Sequence, residues 1–128
     1  MSRIVILDTN FLLIPFQFKI NIFSELNYLL DFAHHYVISS RTLYELKKIS
    51  RTIGKDGMAA RLALKMVENE KEQIKVIESK DYVDNWIFDY AVEHNAIVCT
   101  NDSGLRHRLR ERKMKIVTLK NKVKIGYE

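Results

Sequence analysis

Apolar residues along this chain fall into two arrangements, short unbroken runs and longer stretches at helical spacing. Arg3-Ile4-Val5-Ile6-Leu7 is a β-branched apolar run, the pattern of a strand buried on both faces. Tyr36–Ile38, Ile74–Ile77, Ala96–Cys99 and Lys115–Leu119 repeat it. Lys122–Tyr127 alternates apolar with polar or glycine residues, a pattern that adds an edge strand. Helical spacing appears in Ile22–Phe32, through Ile22, Phe23, Leu26, Leu29 and Leu30, and again from Ser40, through Leu43, Leu46, Ile49 and Ile53. Met58–Glu72, Tyr82–His94 and Asp102–Arg112 also read as helices, and Ser39 or Ser40 is a fitting cap. Strand and helix alternate almost throughout. That order predicts an α/β fold with a central parallel sheet of about five strands and helices on both faces, a three-layer α/β/α arrangement. Sites in such sheets form beyond the carboxyl ends of strands, where the strand order reverses.

Acidic residues fall at those ends. Asp8 follows the first strand in Asp8-Thr9-Asn10, and Asp102 follows the fourth in Thr100-Asn101-Asp102. Asp and Asn also favour helix caps, so capping is the competing account of both, weaker for Asp8 because the apolar stretch Phe11–Ile14 follows it. On the helix from Tyr82, Asp84 lies about 100° from Val83, at the shoulder of the apolar face, whereas Asp89 lies on the far side. Glu45 sits about 90° from its helix's apolar stripe and is compatible with a plain surface role. Carboxylates gathered at one sheet edge repel each other unless a cation compensates them. Their oxygens are hard donors suited to Mg²⁺ or Mn²⁺, and such sites hydrolyse phosphodiesters. The histidines offer no rival: His34-His35 is an adjacent pair read at a helix end, and His94 and His107 lack ligand spacing.

Composition narrows the classes. With 128 residues and 47% apolar content, the chain reads as one globular domain over residues 1–128 and not as a disordered segment. A single cysteine, Cys99, lies in an apolar run and reads as a buried small hydrophobe, so no disulfide framework is expected. Asp8 interrupts the first apolar stretch, and no run approaches the roughly 20 residues of a membrane helix. The expectation is a soluble cytoplasmic protein without a membrane partner. Charge is uneven. Residues 1–104 carry 12 Lys/Arg and 14 Asp/Glu, whereas residues 105–128 carry 9 and 2. A basic segment beside a mildly acidic body suggests a polyanionic partner; the plain alternative is a solubilising terminus. On a helix from Asp102 to Lys113, Arg106, Arg110 and Lys113 share one face that begins a turn from Asp102, while Arg108 and Arg112 fall on the other flank. Arg106, Arg110 and Lys113 are therefore the candidate contacts to such a partner.

Four stretches taken in order resemble the PIN domain family of nucleases: Ile4-Val5-Ile6-Leu7-Asp8-Thr9-Asn10, Leu43-Tyr44-Glu45-Leu46, Val83-Asp84-Asn85-Trp86-Ile87 with Ala91, and Ile97-Val98-Cys99-Thr100-Asn101-Asp102. The resemblance covers nearly the whole chain. It implies strand order 3-2-1-4-5, which makes strands one and four neighbours. It also implies that Asp8, Glu45, Asp84 and Asp102 are the catalytic, metal-binding acids, supported by Thr9, Asn10 and Thr100, with Mg²⁺ or Mn²⁺ as cofactor and single-stranded RNA as substrate. The polyanionic partner of Arg106, Arg110 and Lys113 is then RNA. Glu45 gains its role mainly from this likeness. Many relatives carry a further acid two residues after the position of Asp102, where this chain has Gly104. The segment Asp8–Phe16 and the basic run from Arg106 are most similar to archaeal PIN proteins related to small-subunit ribosomal RNA-processing nucleases, so a ribosomal RNA precursor is the implied target. Toxin ribonucleases of toxin–antitoxin pairs and a non-catalytic RNA-binding PIN module are the alternatives. A receiver domain fits poorly, since no second acid stands beside Asp8. Oligomeric state stays open, a homodimer included.

Overall fold

A computed structural model describes residues 2–128. In chain order the elements are β1 (Arg3–Leu7), α1 (Thr9–Phe18), α2 (Ile22–Leu29), β2 (His34–Ser39), α3 (Ser40–Ser50), α4 (Lys55–Asn69), β3 (Ile74–Ile77), α5 (Val83–His94), β4 (Ile97–Cys99), α6 (Ser103–Glu111), β5 (Ile116–Lys120) and β6 (Lys124–Tyr127). The sheet order is β3-β2-β1-β4-β5-β6. Its first five strands are parallel, and β6 returns antiparallel to β5 as the edge. The return is a tight turn in which Asn121 and Lys122 both take positive φ and the Val123 N–H donates to the Lys120 carbonyl.

Alternation within the central strands divides the core. Val5 and Leu7 of β1, Ile97 and Cys99 of β4 and Val117 of β5 pack under α1 to α4. Ile6, Val98 and Ile116, one residue out of phase, pack under α5 and α6 with Ile87, Ala91, Leu105 and Leu109. Both faces of β1 and β4 are thus covered, which is why these strands read as unbroken apolar runs.

Helix α1 has no counterpart in the periodicity. Phe11, Leu12, Leu13 and Ile14 are all buried, so the helix is apolar on every side over this span and shows no stripe. Other boundaries shift for identifiable reasons. His34 and His35 lie on β2 and not at a helix end, because they pair in register with Arg3 and Ile4. Helix α3 stops at Ser50, and Ile53 lies beyond it, fully exposed. Helix α6 ends at Glu111, with Lys113 at φ 56°. Lys113 therefore does not continue a helical face with Arg106 and Arg110. Among the described residues, no helix is long and apolar enough to cross a membrane.

Candidate active site

Strand β1 lies between β2 and β4, and the chain runs outward from it in both directions. Asp8 leaves its carboxyl end at that switch point. Its N–H donates to the Cys99 carbonyl (3.0 Å), which ties it to the end of β4. Asp8 is also the N-cap of α1, its Oδ1 accepting from Thr9 N at 2.8 Å, so capping and site placement coexist. Its other oxygen, Oδ2, accepts from Thr100 Oγ1 at 2.6 Å and from Asn10 Nδ2 at 3.3 Å.

Thr100 is fully buried and works in both directions, since its hydroxyl also accepts from the Asp102 N–H at 3.0 Å. Asp102 caps α6, with Oδ1 accepting from Leu105 N at 2.8 Å. Glu45 on α3 accepts a 2.6 Å bond at Oε1 from Thr9 Oγ1. Asp84 stands in the first turn of α5 and is exposed, with Oδ1 taking the Asn85 N–H. Thr9 and Asn10 thus hydrogen-bond the acids, Thr9 both Asp8 and Glu45 and Asn10 Asp8.

The four acids line one cleft of about 310 Å³, whose wall also includes Thr9, Asn10, Leu13, Ile49, Tyr82 and Val83. No Lys or Arg is among these lining residues. Burial, opposed by the Thr100 and Thr9 hydrogen bonds and reinforced by the charges of Asp102 and Glu45, pushes the Asp8 carboxyl up to about 6. An uncompensated buried carboxylate beside two other acids is the condition that a divalent cation relieves, and the donors are all oxygen. Among the described residues no three acids converge tightly enough to enclose an ion on their own.

Asn101 was not singled out by its sequence context, yet it locks the site. Its Oδ1 accepts from Thr118 Oγ1 (3.1 Å) and Leu119 N (2.9 Å), and its N–H donates to Asn10 Oδ1 (3.0 Å). Its position between Thr100 and Asp102 at a strand end was the available signal. The basic residues of α6 behave differently from expectation. Arg106 and Arg110 both bind Glu128, at 3.1 and 2.6 Å, and the Glu128 carboxyl is held below its ordinary value chiefly by the Arg110 hydrogen bond. Arg108 donates to Asn85 Oδ1 and stacks over Phe88 at 4.5 Å. Gly104 stands at the start of α6, where a Cβ would come within 3.3 Å of Asp102 Oδ1.

The profile of the family described as PIN like domain matches residues 5–122. The chain belongs to that family. Ribonuclease VapC4 of Methanocaldococcus jannaschii is similar to it, 35% identical over 122 residues that make up 92% of this chain and 91% of that protein. The rRNA-processing protein fcf1 of Schizosaccharomyces pombe is 31% identical over 109 residues, 84% of this chain and 53% of that protein. Among solved structures, the PIN domain endonuclease Utp24 superposes with a TM-score of 0.80 at 29% identity, over 98% of this chain and 90% of that one. The PIN-like fold accounts for the parallel order of the first five strands, and β6 extends it by one antiparallel edge.

Proposed function

We propose that this PIN-like protein is a Mg²⁺- or Mn²⁺-dependent endoribonuclease that hydrolyses single-stranded RNA, with Asp8, Glu45, Asp84 and Asp102 as its working carboxylates. The observation that carries this reading is the cleft itself: four acids, no cation among its lining residues, and a buried Asp8 whose carboxyl titrates near 6. The ribonuclease name of VapC4 and the endonuclease name of Utp24 support the same class of reaction.

Asp8, Asp102, Asp84 and Glu45 are the residues that would hold the cation. When bound, it lowers the pKa of a coordinated water and offsets charge on the scissile phosphate. The chain's own contribution is to pre-set the donors. Thr9 N and Thr100 Oγ1 fix the two oxygens of Asp8, and Thr9 Oγ1 fixes Glu45. Among the described hydrogen bonds Glu45 Oε2 and Asp102 Oδ2 have no donor, so both retain lone pairs for an ion or for a proton leaving water.

The test is cleavage of a labelled single-stranded RNA with Mn²⁺, with Mg²⁺ and with EDTA. We expect cleavage in either metal, none in EDTA, and a loss of at least about 100-fold in Asp8→Asn. Cleavage that persists in EDTA would sink the metal-dependent reading. As to role, similarity to the rRNA-processing protein fcf1 supports processing of a ribosomal RNA precursor, and the second reading, a toxin ribonuclease, is compatible with similarity to the ribonuclease VapC4. Accumulation of unprocessed precursor in depleted cells favours the first. Growth arrest on expression, reversed by a small partner protein, favours the second.

A further inference from the structure

The basic side chains of α6 expected to hold RNA are engaged by Glu128, whereas a second basic strip, on α3, is not. Arg41, Lys47, Lys48 and Arg51 form no salt bridge among the described residues. Helical geometry sets where they point. Glu45 and Ile49 line the acidic cleft. At 3.6 residues per turn, Arg41 and Lys48 lie about 40° and 60° from Glu45 on the α3 surface, one turn to either side of it; Tyr44 lies between them on the same side, and Arg51 follows Lys48 at the helix C-cap, on the flank away from Ile49.

The strip holds one cation–aromatic pair. The Arg41 guanidinium sits 4.5 Å from the Tyr44 ring centroid, and Tyr44 is still 52% exposed. One ring face is thus backed by a cation while the residue stays open to solvent, an arrangement that suits a nucleobase. A second aromatic lies in the cleft wall. Tyr82 is 73% exposed and precedes Asp84 by two residues. The loop that carries it is pinned to the start of α3, where Ser40 Oγ donates to the Ser79 carbonyl (3.1 Å) and accepts from Ser79 N (2.9 Å). The N-terminal end of the strip and the tyrosine of the cleft wall are therefore held in one fixed relation.

We propose that single-stranded RNA reaches the acidic cleft along α3, with Arg41, Lys48 and Arg51 on its phosphates and its unpaired bases stacked on Tyr44 and Tyr82. The proposal rests on the nuclease reading and adds the path of the substrate. A duplex cannot use this path, because its bases are stacked on each other and present no free face to the tyrosines. The basic strip also supplies the attraction for an anionic backbone that a cleft of four acids lacks.

The test uses Asp8→Asn to prevent turnover and measures binding of a fluorescent single-stranded RNA across a salt series. Tyr44→Ala and Tyr82→Ala are each expected to weaken binding about tenfold and to leave the salt slope unchanged. Arg41/Lys48/Arg51→Ala is expected to weaken binding and to flatten the slope by about 2, since each lost phosphate contact on a single strand accounts for about 0.7. Arg106/Arg110→Ala is the control and is expected to change the slope by less than the α3 variant. Circular dichroism and thermal melting confirm that each variant is folded. If the α3 variants bind like the parent while Arg106/Arg110→Ala loses affinity, the path is wrong although the nuclease reading stands. If the parent binds RNA through α3 but the native chain cleaves none, the nuclease reading fails and the RNA path stands. If the parent binds no RNA, both fall.

Discussion

Thr100 donates to Asp8 Oδ2 at 2.6 Å across 92 positions of sequence. This bond joins the end of β1 to the end of β4 and lowers the affinity of the buried carboxyl for its proton. Because the same hydroxyl accepts from the Asp102 N–H, two acids of the cleft are held through one side chain.

The Asp8 carboxyl, raised from 3.8 to about 6, makes the metal-free protein sensitive to pH. A folded-state pKa above the unfolded value means that the native state binds its proton more tightly. The associated stability is fully present below about 4 and is lost as pH rises through about 6, roughly 3 kcal/mol in all. In EDTA the melting temperature should fall between about pH 4 and pH 6, and Asp8→Asn should flatten the curve. Mg²⁺ or Mn²⁺ competes with the proton, so metal-induced stabilisation should grow over the same interval in the native chain and be much reduced in Asp8→Asn. An equal metal response in both proteins would remove Asp8 from the ligand set.

Thr100→Val keeps the shape of the side chain but removes the hydroxyl, leaving the Asp102 N–H and Asp8 Oδ2 without it. The expected cost is about 1–3 kcal/mol in urea unfolding. The Asp8 carboxyl should titrate higher still, since a bond that favoured its charged form is gone. The midpoint of the pH–activity profile should therefore move up in Thr100→Val. An unchanged midpoint with unchanged stability would show that the bond is inert.

Glu128 works in the opposite sense. Its carboxyl is lowered by Arg110 and Arg106, so the stability it contributes is present above about 4.5 and is lost as pH falls through the lowered value. Glu128→Gln should release both guanidinium groups and speed amide exchange in β6, whose last residue precedes Glu128. It should also steepen the salt dependence of RNA binding if the freed arginines then engage phosphate. Unchanged exchange in β6 would mean that the ion pairs do not anchor the edge strand.

Gly57 is helical and buried, and a Cβ built on it would lie 2.0 Å from the Thr52 carbonyl oxygen. Helical Gly→Ala changes usually stabilise by several tenths of a kcal/mol or more. Here the α3–α4 turn passes directly over the helix start, so Gly57→Ala should destabilise by about 1–3 kcal/mol. A variant as stable as the native protein would show that the turn shifts freely.

Much of the architecture was legible from one-dimensional pattern. A strand covered on both faces is apolar at every position, and a helix on one face of a sheet is apolar every third or fourth, so five parallel strands and most helices leave their mark. The placement of Asp8 and Asp102 follows from the same pattern, because an acid directly after a buried strand must stand at the sheet edge. A helix, by contrast, shows a stripe only where its burial is one-sided. Helix α1 is buried around Phe11–Ile14 and leaves no stripe, so its existence depended on α2, α3 and α4 closing over it. Pairing between distant side chains is beyond pattern altogether. Arg106 and Arg110 share a helical face in any reading of α6, but only the return of β6 alongside β5 carries Glu128 to them. The exposed α3 strip is the converse case: its charges were present in the sequence, and their freedom depends on which acids the fold brings near. Local sequence determines which faces are apolar; the sheet order determines which polar groups meet, because it sets distances between residues that the chain separates by tens of positions.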